Sequence, residues 1–434
     1  MTSRTLPRET AAAAAAPAPR PAPPAALLPL LVLVTVTHLV VDACATTVPA
    51  LLPFWQVRFG LTYGLAGLIT AVANLTSSVA QPVVGLLTDR GRDARWIALA
   101  VAVAAVGAGL TGVAPQYGVF LGLVVVGGLG VSAFHPQGYK YVGLYGGARP
   151  AVATSWFLVG GNVGVAFGPL FGTAAAVHFG PGGTLYLILP GLLLAGALLW
   201  LVPRWTQGRR LVGAHGGLVA PETVGEPVDA PAAPMSRLPL PRRSVMLAVL
   251  VAVVALRSTV SGALTSFVPL YYVGVVGASE TVASGVLAGM LLIGAAATLA
   301  GGYLADRFGR LRVLAITLLL TPPLLLLFLA APPGSPLAVG ALWAGGAMLT
   351  ASFAVPVVLA QELWFERRAL ASGVIVGFAF GLGGLFVPVI GVIADRAGLV
   401  TALQVVAFFP LLALALTGVL ALLGRPARAG AARG

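Results

Sequence analysis

The sequence predicts an all-α membrane protein with twelve transmembrane helices arranged in two six-helix halves. Hydrophobic residues make up 59% of the chain and charged residues only 9%, whereas about a quarter of the residues in a soluble domain are charged. Apolar runs of about 20 residues, the length needed to cross about 30 Å of hydrocarbon, recur along the chain. A short charged turn between two such runs also recurs at the half-chain interval.

The apolar runs fall into two groups of six on either side of a polar, Pro-rich segment. The first group occupies residues 27–53, 63–87, 96–114, 117–139, 150–178 and 183–202, and the second occupies 244–273, 282–305, 313–331, 337–361, 369–394 and 401–423. The predicted divisions are a leader (1–25), a first half (26–202), a linker (203–243), a second half (244–423) and a tail (424–434). We expect the Pro/Ala-rich leader to be disordered, because it has too little apolar surface to bury a core.

The basic residues predict the orientation of the chain. If the N-terminus is cytoplasmic, 22 of the 25 Lys and Arg residues fall in the leader, the cytoplasmic loops, the linker and the tail. Arg58 and Arg396 fall on the other side, and Arg257 lies within a span. Because positive residues are retained on the cytoplasmic side, we predict a multi-pass protein of the cell membrane with both termini in the cytoplasm.

Composition and spacing exclude several classes of function. The net charge of +13 does not indicate nucleic-acid binding, because the basic residues lie in short loops between apolar spans. The single cysteine, Cys44, excludes an intrachain disulfide, and the four histidines are too scattered along the chain to indicate a zinc site. The chain shows no nucleophile–base pattern and no nucleotide-binding loop. We therefore expect a monomeric non-enzyme without metal or cofactor, whose partners are the lipid bilayer, protons and a small-molecule substrate.

The two charged turns share a glycine, an acid and then basic residues. They lie 217 positions apart and comprise Gly85, Asp89 and Arg90 in the first copy and Gly302, Asp306, Arg307, Gly309 and Arg310 in the second. The second copy resembles in full the signature loop between the second and third helices of each half in the major facilitator superfamily, and the first lacks one residue before Gly91. The resemblance implies two halves that alternate access, with these loops gating the cytoplasmic side.

The fifth span carries a glycine at every fourth residue. Gly160, Gly164, Gly168 and Gly172 fall on one helical stripe, where a neighbouring backbone can approach closely, and Pro169 bends the helix. The spacing of Gly164, Gly168, Pro169 and Gly172 resembles the fifth-helix motif of the drug/proton antiporter branch of the superfamily. Helix packing explains the stripe, and the resemblance adds export as an interpretation.

Polar residues on the first span indicate the chemistry. Thr35, His38, Asp42 and Thr46 form one stripe on an otherwise apolar helix, with His38 and Asp42 near the bilayer centre. An ionisable group there costs at least about 2.5 kcal/mol and faces a cavity or a partner. Asp42 is therefore a candidate proton carrier tuned by His38. The alternative is a buried His38–Asp42 pair whose members only satisfy each other.

Arg257 occupies a similar depth in the seventh span and requires an anion. The sequence leaves two partners open, namely Asp42 across a central cavity and an anionic substrate. Asn74, Ser78 and Gln81 form a polar stripe on the second span that would face the same cavity, although packing between helices explains them equally well. We take Arg257, Asn74, Gln81 and Gln361 as candidate substrate-binding residues.

Three further stretches resemble the fosmidomycin-resistance branch of the superfamily. They are Phe134-His135-Pro136, the His38 and Asp42 pair followed by Val48-Pro49-Ala50-Leu51-Leu52-Pro53, and Asn74-Leu75-Thr76-Ser77-Ser78 followed by Gln81-Pro82. The fourth-span arginine of other drug antiporters has no counterpart here, which leaves His38, Asp42, His135 and Glu362 as candidates for proton coupling. Glu362 lies beside Arg367 and Arg368, where a solvated ion pair is the simpler interpretation.

The resemblance implies a proton-coupled antiporter that exports small toxic compounds such as fosmidomycin-like antibiotics. The alternatives are an importer or symporter of a small anionic metabolite on the same fold and a non-transporting membrane sensor. A sensor requires a folded output domain, and the linker at 203–243 is Pro-rich.

Overall fold

Every regular element in the described part of the chain is helical. The computed structural model describes residues 27–78, 81, 94–146, 150–206, 238–364, 371 and 373–424, with side chains from residue 153 in the third of the longer segments. The first half contains α1 (Leu28–Ala50), α2 (Leu52–Phe59), α3 (Tyr63–Ser78), α4 (Ala94–Leu110), α5 (Tyr117–Tyr145), α6 (Pro150–Phe179) and α7 (Ile188–Thr206). The second half contains α8 (Leu240–Gly274), α9 (Glu280–Phe308), α10 (Arg310–Ala330), α11 (Pro336–Ala351), α12 (Ala354–Leu363), α13 (Phe380–Gly384), α14 (Val387–Ala397) and α15 (Leu399–Leu423).

Eleven helical segments among the described residues are long and apolar enough to cross a membrane. The predicted span at 63–87 is described as helix over the 16 residues of α3, and most of its remainder lies outside the described residues. The twelfth crossing therefore stays a prediction. The helices around the linker are longer than the hydropathy pattern indicates, because α7 continues to Thr206 and α8 begins at Leu240.

Local sequence signals set the ends of the helices. The hydroxyl groups of Ser279 and Ser335 accept hydrogen bonds from the third residue of α9 and α11 (3.4 and 3.2 Å), as helix N-caps do. Gly309, with φ of 97°, separates α9 from α10. This backbone conformation favours glycine, so the turn depends on the glycine of the charged motif.

Two predicted spans are interrupted in the middle. The tenth is broken at Ser352 and Phe353, between α11 and α12. The eleventh begins as a π-helix over Val374–Ala379, continues as α13 and resumes as α14. Irregular backbone at membrane depth requires other groups to satisfy its carbonyl oxygens, so each break marks a place where side chains matter.

Buried apolar side chains form one cluster shared by the halves and two that are not shared. The shared cluster, which includes Trp55 and Phe120 from the first half and Phe267 and Tyr272 from the second, lies towards the turns at 60–62, 114–116, 275–279 and 331–335. We call this the closed end. The other two clusters lie towards the opposite end of the bundle, where α1, α4, α8 and α10 begin, and each contains residues of one half only. We call this the open end, because the described halves keep separate cores there.

Candidate functional site

The carboxylate of Asp42 lies between two histidine rings. His38, one helical turn earlier in α1, places Nε2 at 3.2 Å from Asp42 Oδ2. His135 of α5 places Nε2 at 3.1 Å from Asp42 Oδ1. Each carboxylate oxygen therefore faces one imidazole. His38 is buried, whereas Asp42 and His135 keep partly exposed side chains.

Backbone carbonyl groups and aromatic rings fix both histidines. His38 Nδ1 lies 2.7 Å from the carbonyl oxygen of Phe157, and His135 Nδ1 lies 3.0 Å from that of Val131. A carbonyl oxygen only accepts hydrogen bonds, so each Nδ1 carries a hydrogen and donates it. The ring of Phe157 also stacks on His38 with a centroid distance of 4.0 Å. Both Nε2 atoms are thereby directed at Asp42.

This triad of His38, Asp42 and His135 corrects the expectation drawn from histidine spacing. The sequence shows four scattered histidines, but the fold brings two of them to one carboxylate from positions 97 residues apart in the chain. Among the described residues, this is the group of His, Cys, Asp and Glu side chains close enough to share a metal ion, with ligand atoms within 4.8 Å of one another. In this structure those atoms are engaged in hydrogen-bond contacts with each other.

The glycine stripe of α6 lies directly against α1, next to this triad. A Cβ atom on Gly160, Gly164 or Gly168 would overlap the backbone of α1 or the side chain of Thr46. Gly161 lies beside the stripe and was not identified from the sequence. A Cβ atom there would come within 2.5 Å of the His38 ring and 2.7 Å of Asp42 Oδ2. The His38–Asp42 contact therefore requires a residue without a side chain at position 161.

Arg257 contacts carbonyl groups at the break in the tenth span. Its guanidinium donates to the carbonyl oxygens of Leu349 and Ser352, at the end of α11, and its Nε has no partner. The side chain is 7% exposed. The ion pair with Asp42, one of the two alternatives from the sequence, is not formed here, because Asp42 faces the histidines. No carboxylate of the described residues pairs with Arg257.

The other candidate substrate-binding residues are dispersed. Asn74 lies where α3 meets the second half, next to Gly262 of α8 and Gly384 of α13. Gln81 donates back to the carbonyl oxygen of Ser77 in its own helix, at 2.7 Å. Gln361 is half-buried in α12. The structure therefore does not gather these side chains around Arg257.

The second charged turn lies at the open end, and the first copy, with Gly85, Asp89 and Arg90, lies outside the described residues. Arg310, at the start of α10, forms an ion pair with Glu362 at the end of α12. Arg307 lies over the ring of Phe308, and Asp306 is exposed. Glu362 is thus joined to the turn, whereas Arg367 and Arg368, its neighbours in sequence, are also outside the described residues.

Comparison with known proteins identifies the family. A family model described as the Major Facilitator Superfamily matches residues 34–293. The chain belongs to the major facilitator superfamily. Proteins of this superfamily are transporters rather than enzymes, so the expectation of a non-enzymatic membrane protein is confirmed at the level of the family.

Two superfamily relatives are similar over most of the chain. The fosmidomycin resistance protein of Escherichia coli K12 is 30% identical over 387 residues, which span 87% of this chain and 89% of that protein. The uncharacterized MFS-type transporter YfnC of Bacillus subtilis 168 is 32% identical over 386 residues, spanning 88% and 90% of the two chains. A bacterial homologue of the lysosomal transporter Spinster has the same fold, with a TM-score of 0.71 at 17% identity and coverage of 93% of this chain and 99% of that one.

The close approach at Gly161 gives a prediction about stability. Gly161→Ala should lower the free energy of unfolding by about 1–3 kcal/mol, because the added methyl group must displace the His38–Asp42 pair. The matched control is Gly122→Ala in α5, where a Cβ atom meets nothing within 4 Å. Thermal unfolding of both purified variants in detergent tests this. Equal melting temperatures would show that α1 and α6 separate without cost.

Proposed function

We propose that this protein is a proton-coupled antiporter that exports small anionic compounds of the phosphonate class, such as fosmidomycin. The carboxylate of Asp42 between two histidines, halfway along a transmembrane helix, is the observation that carries the proposal. The similarity to the E. coli fosmidomycin resistance protein supports the substrate class. An ionisable triad at that depth is costly, and proton transfer is a function that explains its presence.

The hydrogen bonds of the triad connect its protons to its geometry. Both Nδ1 atoms donate to carbonyl oxygens, so each Nε2 and the carboxylate oxygen facing it require a proton between them. Loss of such a proton sets two lone pairs against each other at about 3 Å. The rings and the carboxylate then separate, or take up water. Release of protons is thereby coupled to the distance between α1 and α5.

The neighbours of Asp42 leave this exchange to the three side chains. Cys44 and Tyr139 are the other titratable groups whose charge would be felt at Asp42, and neither is hydrogen-bonded to it. The triad lies within the first half, whereas Arg257 lies in the second. Protons and an anionic cargo would therefore be bound by different halves, and each would influence how the halves meet.

Arg257 is the proposed contact for the cargo anion. A buried guanidinium with two carbonyl partners, an unpartnered Nε and no carboxylate among the described residues keeps an uncompensated positive charge. A phosphonate or carboxylate group complements both the charge and the fork of N–H donors. The structural alternative is that Arg257 serves only to satisfy the break between α11 and α12.

Drug susceptibility tests this function. A bacterial strain that lacks its own exporters should survive higher fosmidomycin concentrations when it expresses this chain, and an Asp42→Asn version expressed to the same level should not protect it. Everted membrane vesicles then give the direction, because an antiporter accumulates the compound when their lumen is acidified. Greater sensitivity in cells that express the chain would instead indicate import, which is the alternative left by the sequence.

A further inference from the structure

A third copy of the charged pattern occurs near the end of the eleventh span. Residues 391–398 read Gly-Val-Ile-Ala-Asp-Arg-Ala-Gly, and residues 302–309 read Gly-Tyr-Leu-Ala-Asp-Arg-Phe-Gly. The two stretches share the glycines, the alanine and the Asp-Arg pair. The copy at 302–309 lies at the open end, but the copy at 391–398 lies at the closed end, as the last turns of α14. It is therefore on the wrong side of the bundle to act as a second loop of the same gate.

The acid of this copy joins the two halves. Asp395, in the second half, accepts hydrogen bonds from the backbone N–H groups of Tyr63 (2.6 Å, to Oδ1) and Gly64 (2.9 Å, to Oδ2), in the first half. These are the first residues of α3, whose N–H groups have no partners within the helix. A carboxylate at a helix N-terminus also gains from the helix dipole, and charge-assisted hydrogen bonds are the stronger kind.

Glycines allow the backbones of α3 and α14 to touch beside this carboxylate. A Cβ atom on Gly391 would lie 2.6 Å from the carbonyl carbon of Tyr63 and 2.7 Å from the Cα of Gly64. A Cβ atom on Gly67 would lie 3.0 Å from the carbonyl oxygen of Val387. Backbone atoms cannot move aside as side chains do, so this contact exists in one arrangement of the halves.

Two neutral hydrogen bonds cross between the halves deeper in the same region. Ser266 of α8 donates to the hydroxyl oxygen of Thr70 in α3, and Ser284 of α9 donates to the carbonyl oxygen of Pro169 in α6, each at 2.7 Å. Both are buried. Asp395 differs from them because it is charged and exposed, so water can replace it when the halves separate.

We propose that Asp395 is a latch that holds the closed end shut and sets how often that end opens. The first turn of α3 survives release of the latch, because Thr62 Oγ1 accepts a hydrogen bond from Leu65 N (3.3 Å) within the first half. Solvent reaches the freed N–H groups of Tyr63 and Gly64. The latch thus opens and closes without unfolding of α3. This inference goes beyond the proposed function and holds whichever compound is carried.

Distances across the closed end test the latch. Spin labels on Gln116→Cys in the first half and Pro333→Cys in the second report the separation, since Cys44 is buried. Asp395→Ala should raise the ratio of long to short distances in pulsed electron paramagnetic resonance about tenfold, because two charge-assisted hydrogen bonds are lost. Asp395→Asn should give a smaller shift, since its one amide oxygen accepts without charge. Glu280→Gln, an acid in the first turn of α9 at the same end, should leave the ratio unchanged.

Gly391→Ala is the second variant, because it keeps the carboxylate and removes the space for Tyr63. It should shift the ratio in the same direction as Asp395→Ala. Unchanged distances in all three variants would overturn the proposal. So would a lower melting temperature of Asp395→Ala with an unchanged distance distribution, which is the result expected of an acid that only caps α3.

Discussion

Asp42→Asn is expected to abolish transport driven by a pH difference, reducing it to the level of vesicles without protein. The amide has nearly the shape of the carboxyl group and can hydrogen-bond both histidines, donating to one Nε2 and accepting from the other. The fold of the triad should therefore survive. The amide cannot release a proton, however, so the site stays in one state and the coupling is lost.

Reconstituted vesicles separate coupling from binding. The Asp42→Asn protein should still exchange labelled for unlabelled compound across the membrane when no pH difference is imposed, because this exchange needs no net movement of protons. Glu280→Gln, at the closed end and remote from the triad, is the control and should transport normally. If the Asp42→Asn protein accumulates compound against its gradient, Asp42 is not the carrier. His135 and Glu362 would then be the residues to replace next.

Arg257→Lys should produce the second large loss, of about tenfold or more in transport, while the protein still inserts into the membrane. Lysine keeps the positive charge but lacks the planar fork that reaches two oxygens at once. One of the carbonyl groups of Leu349 and Ser352 then loses its donor, which costs about 1–3 kcal/mol where the group is buried. The same change weakens any two-point contact with a phosphonate.

Measurements of binding separate the two roles of Arg257. If it binds cargo, the affinity of Arg257→Lys for an anionic compound should fall more than its melting temperature can explain. If it only supports the break between α11 and α12, stability should fall and the remaining folded protein should bind normally. Arg204→Lys, at the exposed end of α7, is the control for loss of a guanidinium. Equal transport by Arg257→Lys and the unmodified protein would refute the two-point contact.

The sequence predicts what lies along one helix better than what lies between helices. The period of an α-helix places His38 and Asp42 on one face, and their pairing follows from that alone. His135 joins them from another helix, and the rotation of one helix against another is set by packing rather than by hydropathy. For the same reason the sequence could not show that Gly161, next to the obvious glycine stripe, is the position that contacts the triad.

Charged residues illustrate the same limit. The depth of Arg257 could be read from its place in an apolar run, but its partners are carbonyl oxygens at a break that the uninterrupted apolar run 337–361 does not reveal. Asp395 falls in a repeat of the charged pattern, and only the fold shows that it contacts the N-terminus of α3. Backbone partners carry no sequence signal of their own, so these roles require coordinates.

The unequal sharing of apolar cores between the two ends gives the conformational equilibrium a temperature dependence. Any opening of the closed end transfers apolar side chains such as Phe267 and Tyr272 from a common core to water. Exposure of apolar surface raises the heat capacity, so the enthalpy difference between the two conformations changes with temperature. A plot of the logarithm of their ratio against reciprocal temperature should therefore curve, and the direction of the curvature identifies the conformation that exposes more apolar surface.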